Sequence, residues 1–467
     1  MKHPVLIIPS CSLKNANNPA GARDSFGSSF GVLVALAGSA VGLGNLWRFP
    51  YLVGQNGGAA FILIYLAFVL LIGLPILLAE FIIGRRSQAS ARAAFQALAP
   101  GGHWGIAGVL AVICCTLILS FYSVVGGWGV EYLVKAFRFD FTTSDNDSLV
   151  KLFSTFSTST WRPLIYHTVF LGVTAGIVLG GVKNGIEKFS KVMMPLLFLI
   201  MIGIAIRSLT LKGAEAGVDY LFKPDWSKVT SDTFLAALGQ AFFSLSLGSG
   251  MVITYGSYVK KNANILSLGI QTAAADTVFA LIAGCAIMPA VFAFGISPGE
   301  GPGLVFITRP HIFSQLPLGG VIAILFFVAL LLAALTSAIS VLEVIVAFCM
   351  EEFKIKRGVA VVLVFFVIWA LGCLCSLSQG PLADWKVFGK NIFDLFDYLS
   401  ANVLMLIGGL VVVVFVGWKL GRKEMRDELT NNGTLRLPNW VIDLLLFLLR
   451  FLAPAAILTI AIFQVSE

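Results

Sequence analysis

Apolar runs long enough to cross a lipid bilayer recur along the whole chain, separated by short polar segments. A helix needs about 20 mostly apolar residues to cross the hydrocarbon core, and this criterion yields about eleven spans. We expect them at 30–54, 59–84, 104–137, 163–181, 188–210, 232–258, 265–296, 319–351, 359–378, 393–418 and 439–463. The pattern predicts an all-α polytopic membrane protein.

Two of these spans are interrupted by glycine and polar residues. Span 1 contains ALAGSAVGLGNLWRFP at 35–50, and span 6 contains SLSLGSG at 244–250. Glycines in membrane helices often serve close helix packing, which would suffice for Gly38 and Gly42 alone. Breaks at matching positions of two halves indicate instead the midplane binding site of a transporter. We predict a five-plus-five inverted repeat in which helices 1 and 6 are broken.

This repeat divides the chain into five segments. They are an N-terminal segment at 1–29, a first repeat at 30–210, a loop at 211–231, a second repeat at 232–418, and a final loop with the last span at 419–467. Basic residues concentrate in alternate loops, which places the N-terminus in the cytoplasm by the positive-inside rule. With eleven spans the C-terminus lies outside, and the short termini suggest a bacterial inner membrane.

Composition narrows the class of protein. The chain of 467 residues is 58% hydrophobic and only 12% charged. Its net charge of +8 sits in loops between spans, so we expect contact with membrane lipid and none with nucleic acid. The four histidines are scattered, and the seven cysteines lack metal-ligand spacing. We therefore expect no enzyme.

Polar side chains inside the predicted spans are the candidate functional residues. Asp276 lies near the middle of span 7, where a charged group costs roughly 2.5 to 3.5 kcal/mol. A bound cation explains it economically, and a structural carboxylate held by serines is the alternative. Thr336 and Ser337 are adjacent in span 8. Such hydroxyls usually bond to their own helix carbonyls, but oxygen clusters also suit hard cations.

These motifs resemble those of the neurotransmitter:sodium symporter family, in particular its bacterial amino-acid transporters. The resemblance rests on GSAVGLGNLWRFPY in span 1, NGGAAF before span 2, FFSLSLGSG and ITYGSY in span 6, and LTSAIS in span 8. It extends from about Arg23 to the end of span 10. It implies sodium-driven import of an amino acid by alternating access.

The resemblance implies two sodium sites. The first would use Ala40, Asn45, Ser244 and Asp276 together with the substrate carboxylate. The second would use the carbonyls of Gly38, Val41 and Ala333 with the hydroxyls of Thr336 and Ser337. The family's animal members commonly have asparagine at the position of Asp276 and bind chloride nearby. A fixed carboxylate supplies that negative charge, so we expect transport that needs no chloride.

The resemblance also implies a substrate site. Its residues would be Ala40, Gly42, Leu43, Gly44, Ile118, Tyr122, Val125, Phe243, Ser244, Ser246, Ser249, Ser337 and Val341. The amides of Leu43 and Gly44 and the hydroxyl of Tyr122 would bind the substrate carboxylate. Monoamine carriers of the family have aspartate at the position of Gly42, so glycine favours an amino acid. Ser249 replaces a bulky phenylalanine of a leucine carrier, which favours a larger hydrophobic or aromatic substrate.

The resemblance also implies two gates. The outer gate would consist of Arg48, Gln240, Phe243 and Asp397. The inner gate would consist of Arg23, Tyr258 and Glu351. In span 5, Gly185 and Pro195 resemble a pattern in members whose span 5 unwinds, although proline is also a common plain kink.

Two other functions remain open on the sequence. A buried carboxylate can titrate, so Asp276 would also suit a proton-coupled amino acid transporter. An amino-acid-gated channel or sensor is a further class, but channels favour a continuous polar pore lining. Here the polar residues converge at one depth, which favours a carrier.

Overall fold

The computed structural model describes residues 24–141, 146–295, 305–306, 309–314 and 318–466. Among these residues nine helices are long and apolar enough to cross a membrane. We number them by position as spans 2–5 and 7–11: Ala59–Ser87, Gly105–Phe137, Arg162–Leu179, Val182–Leu209, Ile265–Ala293, Gly319–Glu352, Arg357–Leu377, Ile392–Leu429 and Asn439–Phe463. Their positions match the predicted spans closely.

Spans 1 and 6 are broken, as predicted. Span 1 consists of Ser29–Ala40 and Gly44–Gln55, which meet at 53°. Span 6 consists of Ser231–Ser244 and Met251–Ser257, with six non-helical residues between them. Gly248 and Gly250 have φ of +79° and +78°, a left-handed backbone that favours glycine. The bent pair of span 1 brings the candidate membrane spans of the described residues to ten, and with the two shorter halves of span 6 the arrangement is consistent with about eleven.

The broken spans lie inside the bundle. The first half of span 1 packs against spans 5, 7 and 8, and both halves of span 6 pack against span 2. Span 8 makes its most extensive packing with span 3. Polar residues along the two breaks are buried, and so are the hydroxyls of span 8 that face them. This arrangement places the freed backbone groups against protein rather than lipid.

Span 5 begins earlier than predicted. Its first turn, Val182–Glu187, is a wide π-helical turn, and it follows span 4 after only two residues. Gly181 has φ of +77°, which lets the chain reverse this tightly. The residues from Gly185 to Pro195 are helical here.

The segments between spans also carry helices. Ala91–Leu98 follows span 2, Asn146–Ser157 follows span 3, Glu215–Phe222 follows span 5, and Arg309–Ser314 precedes span 8. The last part of span 10 is a separate polar helix, Gly421–Leu429, which begins at a glycine with φ of +83°. We call the end of the bundle with Asp24 and Glu351 the inner end, and the end with Arg48 and Asp397 the outer end.

Candidate functional site

The break in span 1 leaves backbone N–H and C=O groups without the hydrogen bonds that a continuous helix would give them. Val41 N–H still donates to Ala37 O, at 2.7 Å, but the regular ladder stops there. Gly42 N–H donates instead to the side-chain oxygen of Asn45, at 3.1 Å. Leu43 N–H lies 3.5 Å from the hydroxyl oxygen of Tyr122 in span 3. Carbonyls and amides at this turn are thus available to a ligand.

A first polar cluster forms where spans 1, 6 and 7 meet. Asn45 Nδ2 donates to Asp276 Oδ1 at 2.7 Å and to Ser244 Oγ at 3.2 Å. Ser244 Oγ donates to Asp276 Oδ2 at 2.6 Å, and the hydroxyl of Tyr65 lies 3.5 Å from the same oxygen. Asn45, Ser244 and Asp276 are all buried.

The donor set of this cluster suits a small hard cation. It offers two carboxylate oxygens and a hydroxyl, which are oxygen ligands, and the amide oxygen of Asn45 lies next to them at Gly42 N–H. Within the described residues, no lysine or arginine forms an ion pair with Asp276. An ionised carboxylate buried without a cationic partner is costly, so the cluster favours binding of an external cation.

A second oxygen cluster lies between spans 1 and 8. Ser337 Oγ donates to Gly38 O at 3.3 Å and to Val41 O at 3.2 Å, and so reaches across to span 1. Thr336 Oγ1 bonds to Leu332 O and Ala333 O of its own helix, both at 3.0 Å. Hydrogen bonding of a hydroxyl to carbonyls of its own helix therefore explains the contacts of Thr336 but not those of Ser337.

A cavity of about 80 Å³ lies beside both clusters. Eleven of the thirteen residues expected at the substrate site line it: Ala40, Gly42, Leu43, Gly44, Ile118, Tyr122, Phe243, Ser244, Ser246, Ser337 and Val341. Val125 and Ser249 are not among the described residues that line it. The hydroxyl of Ser249 donates to Ser246 O at 2.6 Å, inside the break of span 6.

Six further lining residues had not been selected from the sequence. They are Ser39, Phe121, Met251, Ser400, Ala401 and Met405. Three of them come from span 10, which has a wide turn at Leu399–Leu404. The polar run SAN at 400–402 inside an apolar span was the signal that could have found this wall.

Two glycines of span 1 permit close contacts at the cavity. A Cβ atom at Gly42 would lie 2.6 Å from Ser337 Oγ and 3.3 Å from the Tyr122 hydroxyl oxygen. A Cβ atom at Gly44 would lie 2.8 Å from Cε1 of Phe243. Neither position accepts a side chain unless its neighbours move.

Glu80 of span 2 supports the break in span 6. Its Oε1 accepts a hydrogen bond from Gly248 N–H at 2.7 Å, and the residue is fully buried. A free backbone donor at membrane depth is thus satisfied by a carboxylate. Sequence reasoning missed Glu80, although an acid within an apolar run is the signal that identified Asp276.

The residues expected at the outer gate lie above the cavity. The guanidinium of Arg48 stacks 4.7 Å from the ring centroid of Phe243, which lines the cavity. Asp397 is near enough for its charge to act on Arg48, yet the ion pairs of the described residues include none between the two. Gln240 is buried, and neither of its amide atoms has a hydrogen-bond partner in the described part of the chain.

At the inner end, two of the three expected gate residues are described, since Arg23 lies outside the described residues. The hydroxyl of Tyr258 donates to Glu343 Oε1 at 2.6 Å. Glu351 Oε2 accepts from Ser90 N–H at 2.8 Å. Sequence reasoning did not select Arg357, which bonds to both carboxylate oxygens of Glu343, at 2.7 and 2.9 Å, and lies 3.3 Å from Asp24.

Comparison with known proteins identifies similar chains. A family model described as the sodium:neurotransmitter symporter family matches residues 23–151 and 162–467. An uncharacterized sodium-dependent transporter of Bacillus subtilis is 42% identical over 436 residues, which cover 93% of this chain and 96% of that one. An uncharacterized sodium-dependent transporter of Haemophilus influenzae is 38% identical over 422 residues, 88% of this chain and 92% of the relative.

A solved structure is equally similar. The crystal structure of MhsT in complex with L-phenylalanine superimposes with a TM-score of 0.87 at 44% identity. The match covers 94% of this chain and 99% of that one. Both the helical fold and the sequence thus match known transporters.

Proposed function

Given that the chain belongs to the sodium:neurotransmitter symporter family, we propose that it imports a neutral, hydrophobic or aromatic amino acid together with sodium. It is an integral membrane transporter and not an enzyme. One observation carries the proposal most directly: two oxygen clusters flank one buried cavity, at the breaks of spans 1 and 6. The cation sites and the cavity are then one coupled unit.

The first cluster is proposed as the sodium site that contacts substrate. Asn45, Ser244, Asp276 and the carbonyl of Ala40 would surround the ion, and the substrate carboxylate would complete its shell. The second site would use the carbonyls of Gly38, Val41 and Ala333 with the hydroxyls of Thr336 and Ser337. The bonds of Ser337 to Gly38 O and Val41 O support this second site, because they already bring three of these oxygens together.

The substrate is proposed to place its carboxylate at the amides of Leu43 and Gly44 and at the Tyr122 hydroxyl. Gly42 lines the cavity and brings no carboxylate of its own to pair with a substrate amine, which supports an amino acid that carries its own carboxylate. Phe121, Phe243, Ile118 and Val341 give the cavity an apolar and aromatic wall. The L-phenylalanine bound to the similar solved structure agrees with a large apolar side chain.

Transport without chloride is proposed from the same site. Asp276 brings a fixed carboxylate to the first cluster, so a bound anion is not needed to balance the sodium charge. In this proposal the N-terminus and the inner end face the cytoplasm, and the C-terminus faces the outside. Arg48, Gln240, Phe243 and Asp397 close the outer path, while Arg23, Tyr258 and Glu351 close the inner one.

A competition panel tests the proposal on purified protein. Binding of radiolabelled L-phenylalanine would be measured with and without sodium at fixed pH, with each natural amino acid as competitor. We expect sodium-dependent binding that large apolar and aromatic amino acids displace best. Sodium-independent binding that changes with pH would favour a proton-coupled carrier, and displacement by charged amino acids alone would contradict the substrate class.

A further inference from the structure

Glu187 of span 5 contacts the start of the inner half of span 1. Its Oε2 accepts from Gly27 N–H at 2.6 Å, and its Oε1 accepts from the Ser28 hydroxyl at 3.0 Å. Ser28 Oγ in turn accepts from Gly31 N–H at 3.0 Å and caps the helix Ser29–Ala40. Lys191, one turn further along span 5, lies 2.6 Å from Oε1 of the same carboxylate.

Residues of both helices fix the position of this carboxylate. Its side chain is only 2% exposed. A Cβ atom at Gly31 would overlap the Glu187 side chain, so glycine is what lets the carboxylate lie against the helix. The first N–H groups of a helix lack partners within it, and negative charge there is favourable. Ser28 accepts from Gly31 N–H, and Glu187 holds Ser28 in place and adds negative charge at the start of this helix.

The other end of this half-helix belongs to the second oxygen cluster. Gly38 O and Val41 O both accept hydrogen bonds from Ser337 of span 8. The helix Ser29–Ala40 is therefore held at its start by span 5 and at its end by span 8. If the half-helix swings as a rigid body, both sets of contacts break together.

Glu187 is also the last residue of the wide first turn of span 5. Gly185 in that turn packs directly against the backbone of Gly180 and Ile177, with no space for a side chain. Any rearrangement of this turn displaces the Glu187 carboxylate from Gly27 and Ser28. The Glu187 side chain is thus one direct link between the local structure of span 5 and the position of span 1.

We propose that Glu187 is a positioning residue that anchors the inner half of span 1 and thereby keeps the second sodium site assembled. This inference rests on the proposed function, because it gives the second oxygen cluster its sodium. Release of the ion toward the inner end then requires that the contacts of Glu187 break. The state with an intact site is less populated when the anchor is weakened, which lowers apparent sodium affinity.

The test uses Glu187→Gln in the full-length protein. We expect hydrogen exchange of residues 29–40 in sodium-free buffer to be about fivefold faster than in wild type. The half-saturating sodium concentration for substrate binding should rise by a similar factor, while the maximal amount of bound substrate stays the same. Glu187→Asp should recover part of both effects, because it restores the charge.

Two further variants make the outcome decisive. Ser28→Ala removes one of the two contacts of Glu187 with span 1, together with the cap on Gly31 N–H, and should shift exchange in the same direction, even if Glu187→Gln folds poorly. Glu352→Gln alters another inner-end glutamate, which pairs with Arg92, and should leave both readouts at wild-type values. Wild-type exchange and sodium dependence in folded Glu187→Gln and Ser28→Ala would overturn the inference. The exchange measurement needs no substrate, so it stays informative even if the amino acid assignment fails.

Discussion

At the scale of single residues, the charge of Asp276 matters most for the proposed sodium coupling. It is fully buried, and its two oxygens are held by Asn45, Ser244 and Tyr65. All three partners are neutral, so no described residue offsets its charge if it is ionised. A sodium ion in the first cluster would offset that charge and make a separate anion unnecessary.

Replacing Asp276 by Asn tests this directly. The amide keeps the size of the side chain but removes the charge. Charge-assisted contacts contribute about 1.5–3 kcal/mol, so we expect the half-saturating sodium concentration to rise about tenfold or more. Uptake by the variant should also be stimulated when gluconate is exchanged for chloride, whereas wild type should not respond. Equal sodium affinity in the two proteins would contradict the assignment of the first site.

Gly42 gives a second prediction at this scale. In Gly42→Ala the new Cβ would lie 2.6 Å from Ser337 Oγ, so Ser337 must move away from Gly38 O and Val41 O. Overpacking of this kind costs about 1–3 kcal/mol, and we expect substrate affinity to fall about tenfold. Gly203→Ala is the matched control, since a Cβ there meets open space. Isothermal titration of both variants would measure the difference; similar affinities would argue against close packing at Gly42.

The sequence motifs grouped residues that the structure brings into contact, whereas positions that depend on packing were harder to predict. Asn45 contacts Ser244 and Asp276, and Ser337 contacts Gly38 and Val41, while their roles as sodium ligands stay predictions. Ser249 was expected at the substrate, but its hydroxyl bonds within the break. Glu80 and Glu343 lacked a motif, yet both are acids inside apolar runs, and the rule applied to Asp276 would have found them.

At the scale of elements, the ends of helices were harder to predict than their number. Hydropathy located the spans, but it could not show that span 5 starts within two residues of span 4, because that turn depends on the left-handed conformation of Gly181. Nor could it show helices such as Glu215–Phe222 in the connecting segments. The hydroxyl of Tyr220 in that helix donates to Gly54 O at 2.8 Å, which ties the connecting segment to the end of span 1.

Span 5 carries a prediction about an element. We expect residues 185–194 to exchange backbone hydrogens about tenfold faster in sodium-free protein than in saturating sodium, because the wide turn can open when span 1 is not held. Residues 364–368 in the middle of span 9 serve as an internal control. Mass spectrometry of deuterium uptake would measure both segments. If exchange at 185–194 is equally fast with and without sodium, Pro195 only bends the helix.

At the scale of the whole molecule, the two broken spans connect the cavity to both ends of the bundle. Span 1 runs from the Glu187 contact, past Gly38 and Asn45, to Arg48 above the cavity. In the proposed function, a motion of either half would change a proposed sodium site and a proposed gate together. Such linkage is what alternating access requires, since sodium and substrate then bind or leave as a unit.

Uptake of radiolabelled L-phenylalanine into proteoliposomes would show whether a sodium gradient drives import by this protein. The vesicles would hold purified protein, with an inward sodium gradient and gluconate in place of chloride. The account predicts accumulation above the external concentration that disappears when the sodium gradient is removed. Accumulation driven equally well by a proton gradient in sodium-free buffer, or simple equilibration without accumulation, would contradict it.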